Sequence, residues 1–365
     1  MRKAATFHWL LERAPVFTGA VFCAALSLSL VSCGEKGGTP DWDTPAGETT
    51  ASSEPAVSGT PAPPQAAPET AAPPKPVAAE PPTAATDPAS AQAGLKFMAY
   101  NVENWLTMDR FVDNKPLKNS PKPESEKKAT IEIILKHQPD VIGLCEIGEA
   151  TDLAEIQSSL KAAGLDLPHS HYTGGSDSVR HLGLLSRFPI VSTAKPAEVE
   201  FQMQGQTYAI NRGILDASIT AKGKSYRFLG VHLKSKRAVD AFDQEEMRVH
   251  EARLLRRHVD SILSTDPQAR LVVYGDFNDT RPTKTFKAVT GSYNDPGYLT
   301  AIPFKDKQGD AWTHHWAPHD IYSRIDFVLV SRALRPEVDF RSSYLVDDAD
   351  WNKASDHRAM MAIFK

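Results

Sequence analysis

Val273-Tyr274-Gly275-Asp276-Phe277-Asn278-Asp279 decides the reading of this chain. The run Leu271–Tyr274 is apolar without alternation, the pattern of a strand covered on both faces. It breaks at Gly275 into Asp, Asn and Asp, so acids and an amide stand at a strand end, where α/β enzymes build sites. Asp276 and Asn278 are two apart. In an extended segment both side chains face one way and Phe277 faces the core.

Outward from this stretch, strand-like and helix-like segments alternate. Lys96–Tyr100, Val141–Cys145, Leu182–Ser186, Gly213–Ile219, Arg227–Leu233, Ile325–Val330 and Ala359–Phe364 read as strands. Glu124–His137 reads as a helix with Ile131, Ile134 and Leu135 on one face. Asp152-Leu-Ala-Glu155 reads as a capping box opening a helix that Gly164 ends. The longest helix is expected from about Phe242 to Leu263, with Met247, Leu254, Leu255, Val259 and Ile262 as its apolar stripe. This mixture points to one α/β domain over residues 95–365.

The first 94 residues differ in composition. Arg2, Lys3 and Arg13 precede an apolar stretch from about Val16 to Val31, short and punctuated for a transmembrane span. It ends in Leu30-Val31-Ser32-Cys33-Gly34, which resembles a bacterial lipobox. That resemblance implies a signal peptide over 1–33, lipidation of Cys33, export and membrane attachment, with the outer membrane expected because Gly34 replaces a retention aspartate. Residues 34–94 are rich in Pro and Ala and lack Phe, Leu and Ile, so a disordered, stiff linker is expected there.

Charge follows the same division. The net charge is −4, the leader holds three bases against one acid, and the linker holds eight acids against two lysines. The remainder is therefore formally neutral, without the basic footprint of a dedicated nucleic-acid binder. Three cysteines are too few for a disulfide framework, and no C-x-x-C pair suggests structural zinc. Cys145, inside Val141–Cys145, is expected as a buried free thiol.

Acids, amides and imidazoles recur at the other strand ends. They stand in Tyr100-Asn101-Val-Glu103-Asn104, Leu144-Cys145-Glu146, Gly230-Val-His232-Leu-Lys234-Ser235, Ser323-Arg324-Ile325-Asp326 and Ser355-Asp356-His357-Arg358. Hard oxygen donors such as Glu146, Asp356 and Asn101 suit Mg²⁺, Mn²⁺ or Ca²⁺. Asp326 near His357 can fix its tautomer and stabilise its protonated form. Simpler roles exist too: Asp276 can cap a turn, and Asn101 can close an Asx-turn on its own backbone.

At these motifs the sequence resembles the endonuclease/exonuclease/phosphatase superfamily, the DNase I-like metal-dependent phosphoesterases. G-D-F-N-D, R-I-D-F-x-x-V-S and S-D-H-R together are highly specific, and the resemblance spans 95–365. It implies two packed mixed β-sheets flanked by helices, a four-layer α-β-β-α sandwich. It implies Glu146 as main metal ligand, assisted by Asn101 and Asp356. Asp276 would orient or deprotonate the attacking water, and Asn278 would hold phosphate or nucleophile. His357, paired with Asp326, would bind a non-bridging phosphate oxygen. His232 occupies the place of a second active-site histidine, where abasic-site enzymes usually carry tyrosine.

Other features are weaker. His250-Glu251 starts an H-E-x-x-H pattern, but Leu254 closes it, which excludes a zincin. His314, His315 and His319, near Trp312 and Trp316, are expected at the site entrance or surface. Lys234, Lys236 and Arg237 follow His232 closely enough to contact substrate phosphate. The expected activity is hydrolysis of phosphodiester bonds, nucleic acid first, with lipid head groups or small phosphorylated metabolites as the alternative. A silent binding module is disfavoured because every core position is filled.

Overall fold

In the computed structural model, residues 94–112, 115–237 and 243–365 are described. Cys33, the leader and the linker lie outside them. Among the described residues no helix is long and apolar enough to cross a membrane.

Two six-stranded sheets form the centre. The first runs in the order Tyr344–Leu345, Met360–Phe364, Leu95–Trp105, Val141–Ile147, His181–Ser186, His169–Thr173. The second runs Thr300–Ala301, Asp326–Val330, Leu271–Asp276, Lys224–His232, Ile214–Ala221, Ile190–Thr193. Each sheet has one parallel pair at its middle, Leu95–Trp105 with Val141–Ile147 and Lys224–His232 with Leu271–Asp276, flanked by antiparallel partners.

Strand alternation explains the layers. Phe97, Ala99, Val141, Phe228, Val272, Tyr274 and Val328 face inward and fill the space between the sheets. Their neighbours Met98, Tyr100, Ile142 and Leu144 pack with residues of helices Glu124–His137 and Ala150–Ala162. Leu229, Val231, Leu271 and Val273 pack under helices Gln244–Thr265 and Lys284–Thr290. The result is the four-layer α-β-β-α sandwich. Tyr274 is fully buried, its ring tilted 68° to Phe97 at 5.0 Å. It occupies space that Gly143 and Gly230 leave open: a Cβ added at Gly143 would lie 2.0 Å from the Tyr274 ring, and one at Gly230 2.6 Å from its hydroxyl. Such a buried aromatic stabilises the fold by about 1.5–3 kcal/mol.

Some sequence expectations shift by a turn. Helix Ala150–Ala162 begins before Asp152, which is its third residue; the Asp152 carboxylate accepts the N–H of N-cap Glu149 at 2.7 Å. The long helix starts at Gln244, where Asp243 accepts from the N–H groups of Glu245 and Glu246 and so satisfies two orphan donors. The short edge strands His169–Thr173 and Ile190–Thr193 carry too little apolar pattern to be read from sequence. Cys145 is a buried free thiol, as expected, and burial pushes its pKa up.

The long helix is fastened to the second sheet by a buried charge. Asp216 accepts two bonds from Arg227, at 2.8 and 2.6 Å, and lies 2.8 Å from His258 Nε2 on the helix. Burial opposes its ionisation, but His258 and Arg227 outweigh burial and hold the carboxyl below its usual pKa. A depressed acid stabilises the fold above its unfolded pKa, and that contribution is lost as pH falls through the folded value. Asp216→Asn should therefore lower stability at pH 7 by about 3–5 kcal/mol. Thermal melts at pH 7 and pH 3 should show the gap from wild type narrowing in acid; an equal gap at both would reject the assignment.

Candidate active site

Three strands of the second sheet end in one polar row, because His232, Asp276 and Asp326 are register partners. Each continues the inward face of its strand, so the row lies where the apolar inter-sheet layer ends. On the first sheet Asn101 continues the face of Phe97 and Ala99. Glu146 would point outward by strict alternation. It does not, because its φ is +64° and pairing with His181–Ser186 shifts register between Cys145 and Ile147. The irregularity slips the alternation by one residue, sends Ile147 into the helix-side core and turns Glu146 toward the row.

Asn101 joins the two sheets. Its amide nitrogen lies 3.1 Å from Glu146 Oε1, 3.3 Å from Asp276 Oδ2 and 3.3 Å from His357 Nε2. Its oxygen accepts the N–H of Glu103 at 3.1 Å, the Asx-turn considered above. This places the amide nitrogen against Glu146, so in this geometry Asn101 orients the carboxylate. Asp276 likewise has two tasks: Oδ2 faces the site, while Oδ1 accepts the N–H of Asn278 at 2.7 Å. Asn278 departs from the extended form expected, with φ +48° and its amide donating to Leu233 O at 2.9 Å. Phe277 is fully buried in the helix-side core.

The structure brings His357 to Asp326, with Nδ1 2.8 Å from Oδ2. Thr313 donates to the same oxygen at 2.6 Å. His357 Nε2 then stands 3.7 Å from both Asp276 Oδ2 and Asp356 Oδ1. Burial disfavours the imidazolium, but Asp326, then Asp356 and Asp276, hold the pKa well above its ordinary value. His357 is therefore protonated at neutral pH. His232 is the reverse case. Its Nε2 lies 3.6 Å from Asp276 and 3.9 Å from Glu146, and burial, then Arg212, drive its pKa well down, so it is neutral. Asp276 is pushed up to about 8, by burial first and by Asp326 second.

Sequence reading gave Glu103 no role. Its carboxylate accepts the N–H of Asp356 at 2.9 Å and is pushed up to about 8, by burial and then by the charge of Asp356. Glu146 is held below its usual pKa: burial opposes this, and His232 when charged, then Arg180, His357 and the Asn101 bond outweigh it. Glu103 feels the charges of both Asp356 and Glu146, and all three offer hard oxygen donors. That donor chemistry fits a divalent cation. Glu103 was visible as an acid two residues after Asn101, but its φ of +47° was not. Arg180 is another residue missed: it donates to Asn104 Oδ1 at 2.9 Å and lies 4.0 Å from Glu146, 34 residues along the chain. His314 also joins, offering a ligand atom within 4.8 Å of those of Asp356 and His357.

The lysine segment is arranged differently from expectation. Lys234 is buried, with its backbone N–H held by Glu251 at 2.6 Å. Lys236 is exposed and pairs with Asp279 at 3.1 Å, and Arg237 is exposed. Burial of Lys234 leaves Lys236 and Arg237 as the solvent-facing cations of that segment.

Carboxylates beside a protonated and a neutral histidine, at the sheet ends of a four-layer sandwich, define a divalent-metal-dependent phosphoesterase. The chain belongs to the endonuclease/exonuclease/phosphatase family, whose pattern it matches over residues 114–357. Solved structures share the fold. An endonuclease/exonuclease/phosphatase from Bacteroides vulgatus superposes with a TM-score of 0.54 and 18% identity, covering 75% of this chain and 99% of that one. The human Nocturnin catalytic domain with bound sulfate gives 0.52 and 17%, covering 74% and 94%. The 3′ phosphatase NExo from Neisseria, bound to a product DNA hairpin, gives 0.52 and 16%, covering 74% and 99%. No curated protein matches the sequence.

Asp276→Asn and His357→Ala should each lower turnover about 10²–10⁴-fold. The double variant should lose far less than the product of the two, because both groups serve one transition state. Near wild-type turnover in either single variant removes the roles assigned to them.

Proposed function

We propose that the protein hydrolyses phosphodiester bonds in nucleic acid, outside the cytoplasm, on a lipid anchor at Cys33. The observation that carries the reaction is the His357–Asp326 pair at 2.8 Å, which leaves a protonated Nε2 facing Asp276 across 3.7 Å. A phosphoryl group seated beside this pair meets a proton donor and a base along one edge.

In its ionised form Asp276 Oδ2 accepts a proton from the attacking water as that oxygen bonds phosphorus; the phosphorus–oxygen bond to the leaving group breaks, and the departing alkoxide takes a proton from solvent. Charge gathers on the non-bridging oxygens, and His357 Nε2–H is aimed to stabilise it. Neutral His232 adds a hydrogen bond without adding charge. Asn278, locked by Leu233 O and by its own N–H on Asp276, is fixed at the edge of the pocket. Glu103, Glu146 and Asp356 would hold the divalent cation, Mg²⁺ or Mn²⁺ being the expected ions and Ca²⁺ a third. When bound, it supplies positive charge to a phosphoryl oxygen and acidifies water.

A nucleic-acid substrate is supported by the family and by the NExo structure, which holds product DNA. The formal neutrality of 95–365 argues that only local cations, Lys236 and Arg237 among them, meet the polyanion. The lipobox and the proline-rich linker support attachment outside the cytoplasm, with the outer membrane the expected address.

The full chain, incubated with Mg²⁺ or Mn²⁺, should cut plasmid or single strands, and chelator should abolish this. Turnover of sphingomyelin or a generic phosphodiester with no cleavage of any nucleic acid would favour the lipid or small-metabolite alternative. Glu146→Gln should weaken cation affinity, measured by calorimetry, with little change in thermal stability; unchanged affinity would move the site elsewhere.

Cys33→Ser should leave an unprocessed precursor that carries no lipid. Fractionation and mass measurement check this, and unchanged processing would remove the anchor from the proposal.

A further inference from the structure

Outside both sheets, His314–Trp316 and Ile321–Ser323 form a two-stranded antiparallel ribbon. It is bonded to the active site through its backbone. His314 bridges His357, the N–H of His315 donates to Asp356 O at 3.0 Å, and the N–H of Arg358 donates to Thr313 O at 2.7 Å.

Register divides the ribbon into two faces. His315 pairs with Tyr322 on one face, stacked at 4.2 Å, and this face packs against Trp312 and Trp351. Arg358 lies 4.2 Å from the Trp312 ring beneath them. His314–Ser323 and Trp316–Ile321 occupy the other face. His314 on that face lies 4.7 Å from the His357 ring and 3.7 Å from Asp356. Beyond it, Trp316 and Ile321 are each 48% exposed. An indole is thus held two residues, about 7 Å along the strand, from His314, whose ring in turn lies 4.7 Å from that of His357, and about half of its surface is open to solvent. His319, 4.3 Å away, braces it in place.

We infer that Trp316, supported by Ile321, is a stacking platform for an unpaired base of the nucleotide next to the scissile phosphate. The inference rests on the nucleic-acid reading above. A flat π-face is what every nucleobase offers, and stacking on fixed aromatics tolerates any base. The competing occupant, a lipid bilayer, is disfavoured by the ribbon's own tip. Asp320, its side chain 80% exposed, sits between Trp316 and Ile321 and would enter the apolar phase with them. A base needs only the face of the ring and leaves the tip in water.

The test compares single-stranded oligonucleotides with abasic sugar–phosphate strands of equal length, using the full chain and Trp316→Ala and Trp316→Phe variants. Wild type should show a KM about 10-fold or more lower for the base-bearing strand. Trp316→Ala should erase that difference while keeping kcat within about twofold, and Trp316→Phe should restore part of it. Tryptophan fluorescence should be quenched by the base-bearing strand and not by the abasic one. Equal KM values in wild type, with both strands cleaved, would overturn the platform and leave the nuclease reading standing. Cleavage of neither strand, alongside turnover of another phosphoester, would overturn both. Quenching by phosphatidylcholine vesicles in place of oligonucleotide would assign the ribbon to membrane and also reject the proposal.

Discussion

The two sheets pack face to face, and the distance between them sets how Glu146 and Asn101 meet Asp276. Glu146 and Asn101 belong to one sheet, while Asp276, Asp326 and His232 belong to the other. The Asn101 amide, within 3.3 Å of Asp276, spans the gap. Tyr274, fitted between Gly143 and Gly230, fills the same layer a few residues deeper. A larger residue at either glycine would push the sheets apart and separate the acids from the partners that keep them ionised or protonated. Packing in the apolar layer and electrostatics at its edge are one constraint.

Placing so many charges where water is scarce has a cost, and the structure offsets it locally. Asp326 is matched by His357, Glu146 by Arg180 and the Asn101 amide, and Asp216 by Arg227 and His258. At Glu103 beside Asp356, Lys122 offsets only part of the cost, and the carboxyl is pushed up to about 8. Backbone strain is concentrated at the same place. Glu103, Asn104, Glu146 and Asn278 all have positive φ, at about 1–2 kcal/mol each, and each directs a group into the pocket or its wall. Lys122 and Arg110 hold the first pair by donating to the carbonyls of Glu103, Asn104 and Leu106.

Much of this was legible in the sequence, for physical reasons. Doubly covered strands such as Leu271–Tyr274 are apolar throughout, and their ends stand out because acids follow abruptly. Asp276, Asp326, His357, His232 and Glu146 therefore stood out at strand ends, the family resemblance implied their roles, and the structure brings them together. What could not be read depends on backbone turns and on chain segments distant in sequence. The left-handed Glu146 and Asn278, the nitrogen-first orientation of Asn101 and the approach of Arg180 have no local signature. The burial of Lys234 follows from Glu251 on the long helix, a residue whose neighbours only suggested a failed zinc motif. The aromatic ribbon was visible as a cluster of His and Trp, but its two faces appear only once register is known.

Because the catalytic groups are divided between two sheets, neither sheet carries a working half-site. A chain in which one sheet has formed and the other has not holds acids without their base, or the base without its imidazolium. Catalysis is then an all-or-none property of this domain. Hydrolytic power therefore requires both sheets to be formed and packed against each other.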